Sequence, residues 1–204
     1  MHDTETLQRN LIESGDPQSL GQLMLKYQDR LERIVRFRMD PRLVSRLDAA
    51  DVLQEGFLEA TKRIGDFRSQ VETIPFFLWL RFIVLQKLTQ MHRFHLGALA
   101  RDATRDVSLY QTAPQQGTSI VLAAQLLGQL TSPSGAAMRE ENRRRIELAL
   151  SHMDSVDREV LALRHFEQLS NNEVARLLDI TPAAASNRYI RAIRRLKLLM
   201  DELV

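Results

Sequence analysis

The sequence predicts an all-α protein: two small helical domains joined by a flexible linker, the C-terminal one a helix-turn-helix. Three observations carry this. Leu, Arg, Ala, Gln and Glu abound while Gly and Pro are scarce. Apolar residues recur at helical spacing, and no stretch of four or more residues alternates as a strand would. A tract rich in Gln, Thr, Ser, Gly and Pro separates the two periodic regions. At 204 residues the chain can bury one large core or two small ones.

Thr6 to Ser14 is a short amphipathic piece with Leu7, Leu11 and Ile12 on one side, stopped by Gly15-Asp16-Pro17. Ser19 can cap the next helix, whose stripe is Leu20, Leu23, Tyr27, Leu31, Ile34 and Val35. Asp40-Pro41 breaks it. A helix follows Asp48, with Val52, Leu53, Phe57, Leu58 and Ile64 as core candidates and Asp51, Gln54, Glu55 and Glu59 on the other face. Gly65 ends it. Thr73 to Arg101 combines Phe76, Phe77, Trp79, Phe82 and Phe94 with Arg81, Lys87, Arg93 and Arg101, and it has no carboxylate. Aromatic faces among cations suit unstacked bases and a phosphate backbone, although burial explains Phe76, Trp79 and Ile83 at least as well. His92 and His95, at i and i+3, have no nearby carboxylate or thiol to complete a metal site.

Residues 101–138 form the linker, with a weak helix between Ile120 and Leu130. Arg139 to Met153 is helical, with Ile146, Ala149, Leu150 and Met153 inward. Asp154 or Ser155 caps the next helix, which carries Val160, Leu161, Leu163 and Phe166. Ser170 to Lys197 then reads as two helices around a tight turn. Ser170 and Glu173 have capping-box spacing. Asp179 and Ile180 form the turn, Thr181 is an N-cap, and Pro182 sits at the first helical position, where its missing N–H costs nothing. Ala185, Tyr189, Ala192 and Leu196 make an inner stripe; Ser186, Asn187, Arg188, Arg191, Arg194, Arg195 and Lys197 lie outside it. No acidic residue occurs from Thr181 to Met200. The pattern is a helix-turn-helix; the plainer alternative is a helical hairpin with a solvated basic face.

The formal net charge of +2 is too small for a protein that coats nucleic acid regardless of sequence. The absence of cysteine excludes disulfides and thiolate metal sites and fits a reducing compartment. MHDTETLQRN lacks a secretory pattern. The longest apolar run, Ile74 to Leu85, is broken by Pro75 and Arg81 and is too short to span a bilayer. A cytoplasmic protein without membrane insertion is expected. No Ser/His/Asp arrangement, phosphate-binding Gly loop or metal-ligand cluster is visible, so neither an enzyme nor a cofactor is expected.

MDSVDREVLALRHFEQLSNNEVARLLDITPAAASNRYIRAIRRLKLLM resembles region 4 of bacterial RNA polymerase sigma factors of the sigma-70 family, in the two-domain extracytoplasmic-function type. DAADVLQEGFLEATKRIGDF and FFLWLRFIVLQKL resemble regions 2.2 and 2.3–2.4, in the same order as in the family. The resemblance implies region 2 over 1–100 and region 4 over 139–204. It implies core RNA polymerase and promoter DNA as partners, with an anti-sigma factor or a regulatory kinase as further candidates. Asp48, Asp51, Gln54 and Glu55 are then expected to dock on polymerase. Trp79, Arg81, Gln86, Lys87 and Arg93 are expected to read and melt the −10 element. Thr181, Ala184, Asn187, Arg188, Arg191 and Arg195 are expected at the −35 element. The sequence departs from the family at Ala50, where a carboxylate is common; at Asp179, usually Gly; at Ala185-Ser186, often Val and Lys; and at Gln86, commonly Asn. Thr61 lies three helical turns from Ala50 on the same side, where phosphorylation would restore negative charge. The competing function is a regulator with an N-terminal sensor domain; an enzyme fused to a DNA-binding module is a distant third.

Overall fold

The computed structural model describes residues 4–44, 46–70, 74–96, 122–123, 126 and 136–202, and all regular structure among them is helical. Two compact units divide the chain, Met1–Leu109 and Tyr110–Val204. The first contains α1 (Thr4–Ser14), α2 (Pro17–Arg38), a 3-10 turn (Pro41–Leu43), α3 (Ala49–Lys62), α4 (Ile64–Gln70) and α5 (Phe76–Leu96). The second contains α6 (Ala136–His152), α7 (Ser155–Leu161), a π-helical turn (Ala162–Phe166), α8 (Asn171–Leu177) and α9 (Pro182–Glu202).

Two boundaries differ from the sequence reading. The cap of α2 is Asp16, not Ser19: the Asp16 carboxylate accepts from the backbone N–H groups of Gln18 and Ser19 and from the Ser19 hydroxyl, and Pro17 occupies the first turn. The Gly-Asp-Pro triplet that reads as a stop is also a start, because proline's fixed φ suits a first helical turn. Gly15 makes the reversal at φ +69, and Arg68 of α4 donates to the exposed carbonyls of Ile12 and Glu13 at the end of α1. Nor does Gly65 end α3. That helix closes at Lys62 with Arg63 as its C-cap, and α4 runs through Gly65.

In the first unit α5 is clamped between α2 and α3. Phe76 to Leu80, Ile83 to Leu85 and Leu88 are buried, so the first half of α5 is apolar on every side, as suits a helix covered by its neighbours. Fully burying each such side chain contributes about 1.5–3 kcal/mol. The aromatic residues close on one another: Phe67 lies 5.0 Å from Trp79 and edge-on to Phe76 at 5.3 Å, and Tyr27 lies 5.1 Å from Phe77. The crossing of α3 and α5 depends on Gly56. A Cβ there would come within 2.8 Å of Val84 Cγ2 and 3.2 Å of its Cα.

In the second unit Ile146, Ala149, Leu150, Val160, Leu161, Val174, Ala192 and Leu196 form the core. Arg145 of α6 donates to the Met200 carbonyl near the end of α9 at 2.8 Å. Within the tract read as linker, Leu122, Ala123 and Leu126 are helical and buried, and α6 begins at Ala136; residues 101–121 lie outside the described residues.

Candidate nucleic-acid interface

The turn between α8 and α9 is fixed by backbone chemistry at both ends. At the start of α8 the capping box is complete: Ser170 Oγ accepts from the Glu173 N–H at 3.2 Å, and the Ser170 N–H donates to Glu173 Oε2 at 2.7 Å. At its end Asp179 takes φ +51. The Ile180 N–H then reaches the Ala175 carbonyl at 3.0 Å and the Asp179 N–H reaches that of Arg176 at 3.3 Å, the paired bonds of a Schellman motif. Thr181 Oγ1 accepts from the Ala184 N–H, and Asn171 donates across to the Pro182 carbonyl at 2.8 Å.

This geometry sets the face of α9. Ala185, Ala192, Leu196 and Leu199 are buried, whereas Thr181, Ala184, Asn187, Arg191 and Arg195 are exposed and Arg188 is half-buried. Ala184, Asn187, Arg188, Arg191 and Arg195 share one side at i, i+3, i+4, i+7 and i+11. Arg188 and Arg191 also act on Asp157, buried on α7. Burial pushes its carboxyl above the ordinary range, Asp154 adds to this, and the two arginines pull it back down. Behind α9, the π-helical turn aims His165 at Tyr189, and the Arg164 guanidinium lies 5.4 Å from the Tyr189 ring. Neither that turn nor Gln168, at φ +56 just after it, is visible as helical periodicity.

In the first unit, Asp48, Asp51, Gln54 and Glu55 are all exposed on α3. Asp48 is the N-cap, accepting from the Ala50 N–H, and Arg36 approaches it at 3.5 Å. Beside this row runs a groove of about 330 Å³ lined by Gln28, Ala50, Leu53, Gln54, Phe57, Leu58 and Thr61. Ala50 and Thr61 thus border one groove. The Thr61 hydroxyl is exposed and donates to the Phe57 carbonyl.

Two residues expected on the −10 face are buried in the fold. Trp79 is 7% exposed, packed on Phe67 and Phe76, and Arg81 is 3% exposed. As folded, neither presents a ring face or a charge to DNA, because both lie in the half of α5 covered by its neighbours. The exposed half is the last three turns. Gln86 and Lys87 are half-buried, Gln90 and Arg93 are exposed, and Phe94 is 82% exposed. Gln86 accepts from Arg63 at 3.0 Å, and Lys87 lies 3.7 Å from Glu55 and 3.9 Å from Glu59. His92 does not face a metal partner. Its Nε2 accepts from the Asp40 N–H at 3.4 Å, and no group of three or more His, Asp or Glu among the described residues could hold an ion. Among the described residues no helix is long and apolar enough to cross a membrane.

A family model for sigma-70 region 4 matches residues 143–196. The RNA polymerase sigma-H factor of Pseudomonas aeruginosa is 28% identical over 183 residues, covering 89% of this chain and 86% of that one. The RNA polymerase sigma factor CnrH of Cupriavidus metallidurans is 26% identical, covering 92% and 90%. The ECF RNA polymerase sigma-E factor of Haemophilus influenzae is 23% identical, covering 89% and 87%. The solved structure of CnrH in complex with the cytosolic domain of CnrY shares the fold, with a TM-score of 0.54 at 23% identity over 98% of this chain and 99% of that one. Because the relatives match the N-terminal half as well, a regulator with an unrelated sensor domain is not favoured. The capped helix-turn-helix, the region 4 match over residues 143–196 and relatives of near-full coverage converge: the chain is similar over nearly its whole length to extracytoplasmic-function sigma factors of the sigma-70 family.

Proposed function

We propose that region 2 spans 1–100 and region 4 spans 139–204, joined through 101–138, and that each grips promoter DNA only once the chain is docked on core polymerase. Asp48, Asp51, Gln54 and Glu55 on α3 make the docking row. Gln86, Lys87 and Arg93, with Phe94 in place of Trp79 and Arg81, serve the −10 element. Phe94 offers a ring face for an unstacked base, worth about 1–3 kcal/mol. Thr181, Ala184, Asn187, Arg188, Arg191 and Arg195 serve the −35 element, with the start of α9 against base edges. The observation that carries this reading is the acid-free exposed row of α9 behind a turn fixed at both ends.

At net charge +2 the free protein binds promoter DNA weakly. Docking holds both readers on one scaffold, so that their binding adds. The chain supplies no catalysis and no cofactor, and it works in the cytoplasm beside polymerase. The CnrH–CnrY complex supports an anti-sigma protein as a further partner. A kinase acting on Thr61 would place negative charge in the groove beside Ala50, where the family commonly has a carboxylate. The test is transcription in vitro with purified core polymerase. A sigma factor allows initiation from a cognate promoter with no other specificity subunit present; initiation only when a second sigma factor is added would overturn the reading.

A further inference from the structure

Arg63 closes α3 as its C-cap, and its guanidinium is held at both ends. Nε bonds Glu59 Oε1 at 2.6 Å, and Nη1 donates to Gln86 Oε1 at 3.0 Å. Arginine has donors and no acceptor, so the Gln86 atom that faces it must be the carbonyl oxygen. The amide nitrogen of Gln86, with its two N–H donors, therefore points away from Arg63. A free glutamine can turn its amide over and match either a donor or an acceptor on a base. One pinned in this way offers only donors on its outer side. Glu55, Glu59 and Arg63 recur at i, i+4 and i+8, so one stripe of α3 lies alongside Gln86 and Lys87.

We propose that Arg63 is a positioning residue for promoter selectivity: by fixing the Gln86 amide it makes the −10 face prefer a base edge that presents an acceptor and reject one that presents a donor. This rests on the reading of Gln86 as a −10 contact. The signature differs from that of a structural residue. Without Arg63 the amide turns freely, so the cognate base still finds its donors in one of two orientations, and affinity falls by only about twofold. The mismatched base gains a partner, because the turned amide can accept from it, and discrimination is lost.

The test uses holoenzyme reconstituted from core polymerase and the full chain, on a promoter library randomised through the −10 element, with open-complex yield as the readout. Gln86→Ala should lower both cognate yield and base preference, the latter by roughly five- to a hundredfold, the range for one good side-chain–base pair. Arg63→Met should keep cognate yield within about twofold while lowering preference nearly as far. Arg63→Lys, a donor-only side chain, should restore preference in part. If Arg63→Met unfolds in a thermal melt, Arg63→Gln tests the same point, because glutamine both donates and accepts and so holds neither orientation. Wild-type preference in a folded Arg63→Met or Arg63→Gln holoenzyme overturns the proposal. Wild-type preference in Gln86→Ala overturns the reading of Gln86 instead, and the proposal falls with it.

Discussion

His165 Nε2 lies 3.1 Å from the Tyr189 hydroxyl, so the π-helical turn that precedes the helix-turn-helix is hydrogen-bonded to the inner side of α9. Tyr189→Phe should destabilise the C-terminal unit by about 0.5–1.5 kcal/mol. Burial, with Arg164 beside it, holds His165 below the ordinary imidazole pKa, and burial does the same to His92. Each imidazole binds its proton less readily in the folded chain than in the unfolded one. Their contribution is therefore complete above the unfolded value of about 6.5 and is lost as pH falls through the folded one. Melting temperature should drop as pH falls below about 6.5, and His165→Gln should flatten part of that slope. An unchanged slope in the variant would place the pH dependence elsewhere.

Gly56→Ala should destabilise the first unit. Alanine favours a helix over glycine by about 1 kcal/mol, but the added methyl meets Val84 Cγ2 at 2.8 Å, and overpacking costs about 1–3 kcal/mol. The double variant Gly56→Ala/Val84→Ala should recover stability, as read by denaturant midpoint.

Arg188→Ala should weaken binding at the cognate −35 element by about 1–3 kcal/mol if the guanidinium reads a base. Arg194→Ala, on the same helix, should instead weaken all sequences evenly. An unchanged footprint and affinity for Arg188→Ala would remove that assignment.

Phe94→Ala should leave polymerase binding and melting temperature unchanged, because the ring is 82% exposed, while reducing permanganate reactivity of −10 thymines. Trp79→Ala should instead lower stability by about 3–5 kcal/mol, as loss of a buried aromatic does. Equal loss of strand opening without loss of stability in Trp79→Ala would return the stacking role to that residue.

Asp51→Arg should abolish association with core polymerase without changing the fold, because the residue is exposed on α3. Thr61→Glu should strengthen association if the groove beside Ala50 takes added negative charge; binding no tighter than wild type would count against regulation at this site.

The helix-turn-helix is legible in the sequence because its determinants are local. Ser170 with Glu173, Asp179, and Thr181 with Pro182 each act within a few residues, and a 3.6-residue period sorts the faces between them. The row Asp48, Asp51, Gln54 and Glu55 is legible for the same reason. The burial of Arg81, and the choice between burial and exposure for Trp79, are not legible because their surroundings are tertiary: a helix covered by its neighbours has no polar stripe to orient it, and one arginine in an apolar run looks like a surface residue. The Gly56–Val84 contact and the Arg63–Gln86 bond join residues more than twenty positions apart, and neither residue type alone marks the pairing. The π-helical turn escapes because its one extra residue leaves composition unchanged and shifts the helical phase only locally.

Gly56 contributes no side chain where α3 meets Val84, whose Cγ2 and Cα fill the space a Cβ would need, so the distance from the outer face of α3 to α5 is held by one short, stiff β-branched side chain and the backbone behind it. On the proposed docking, a polymerase that grips α3 would set the height of α5 with the tolerance of a van der Waals contact. The spacing between the docked enzyme and the proposed strand-opening face would then behave as a ruler with a single hard stop. Substitutions on either outer surface can change what is gripped or read without altering that distance, whereas a single methyl at the stop would shift the whole scale.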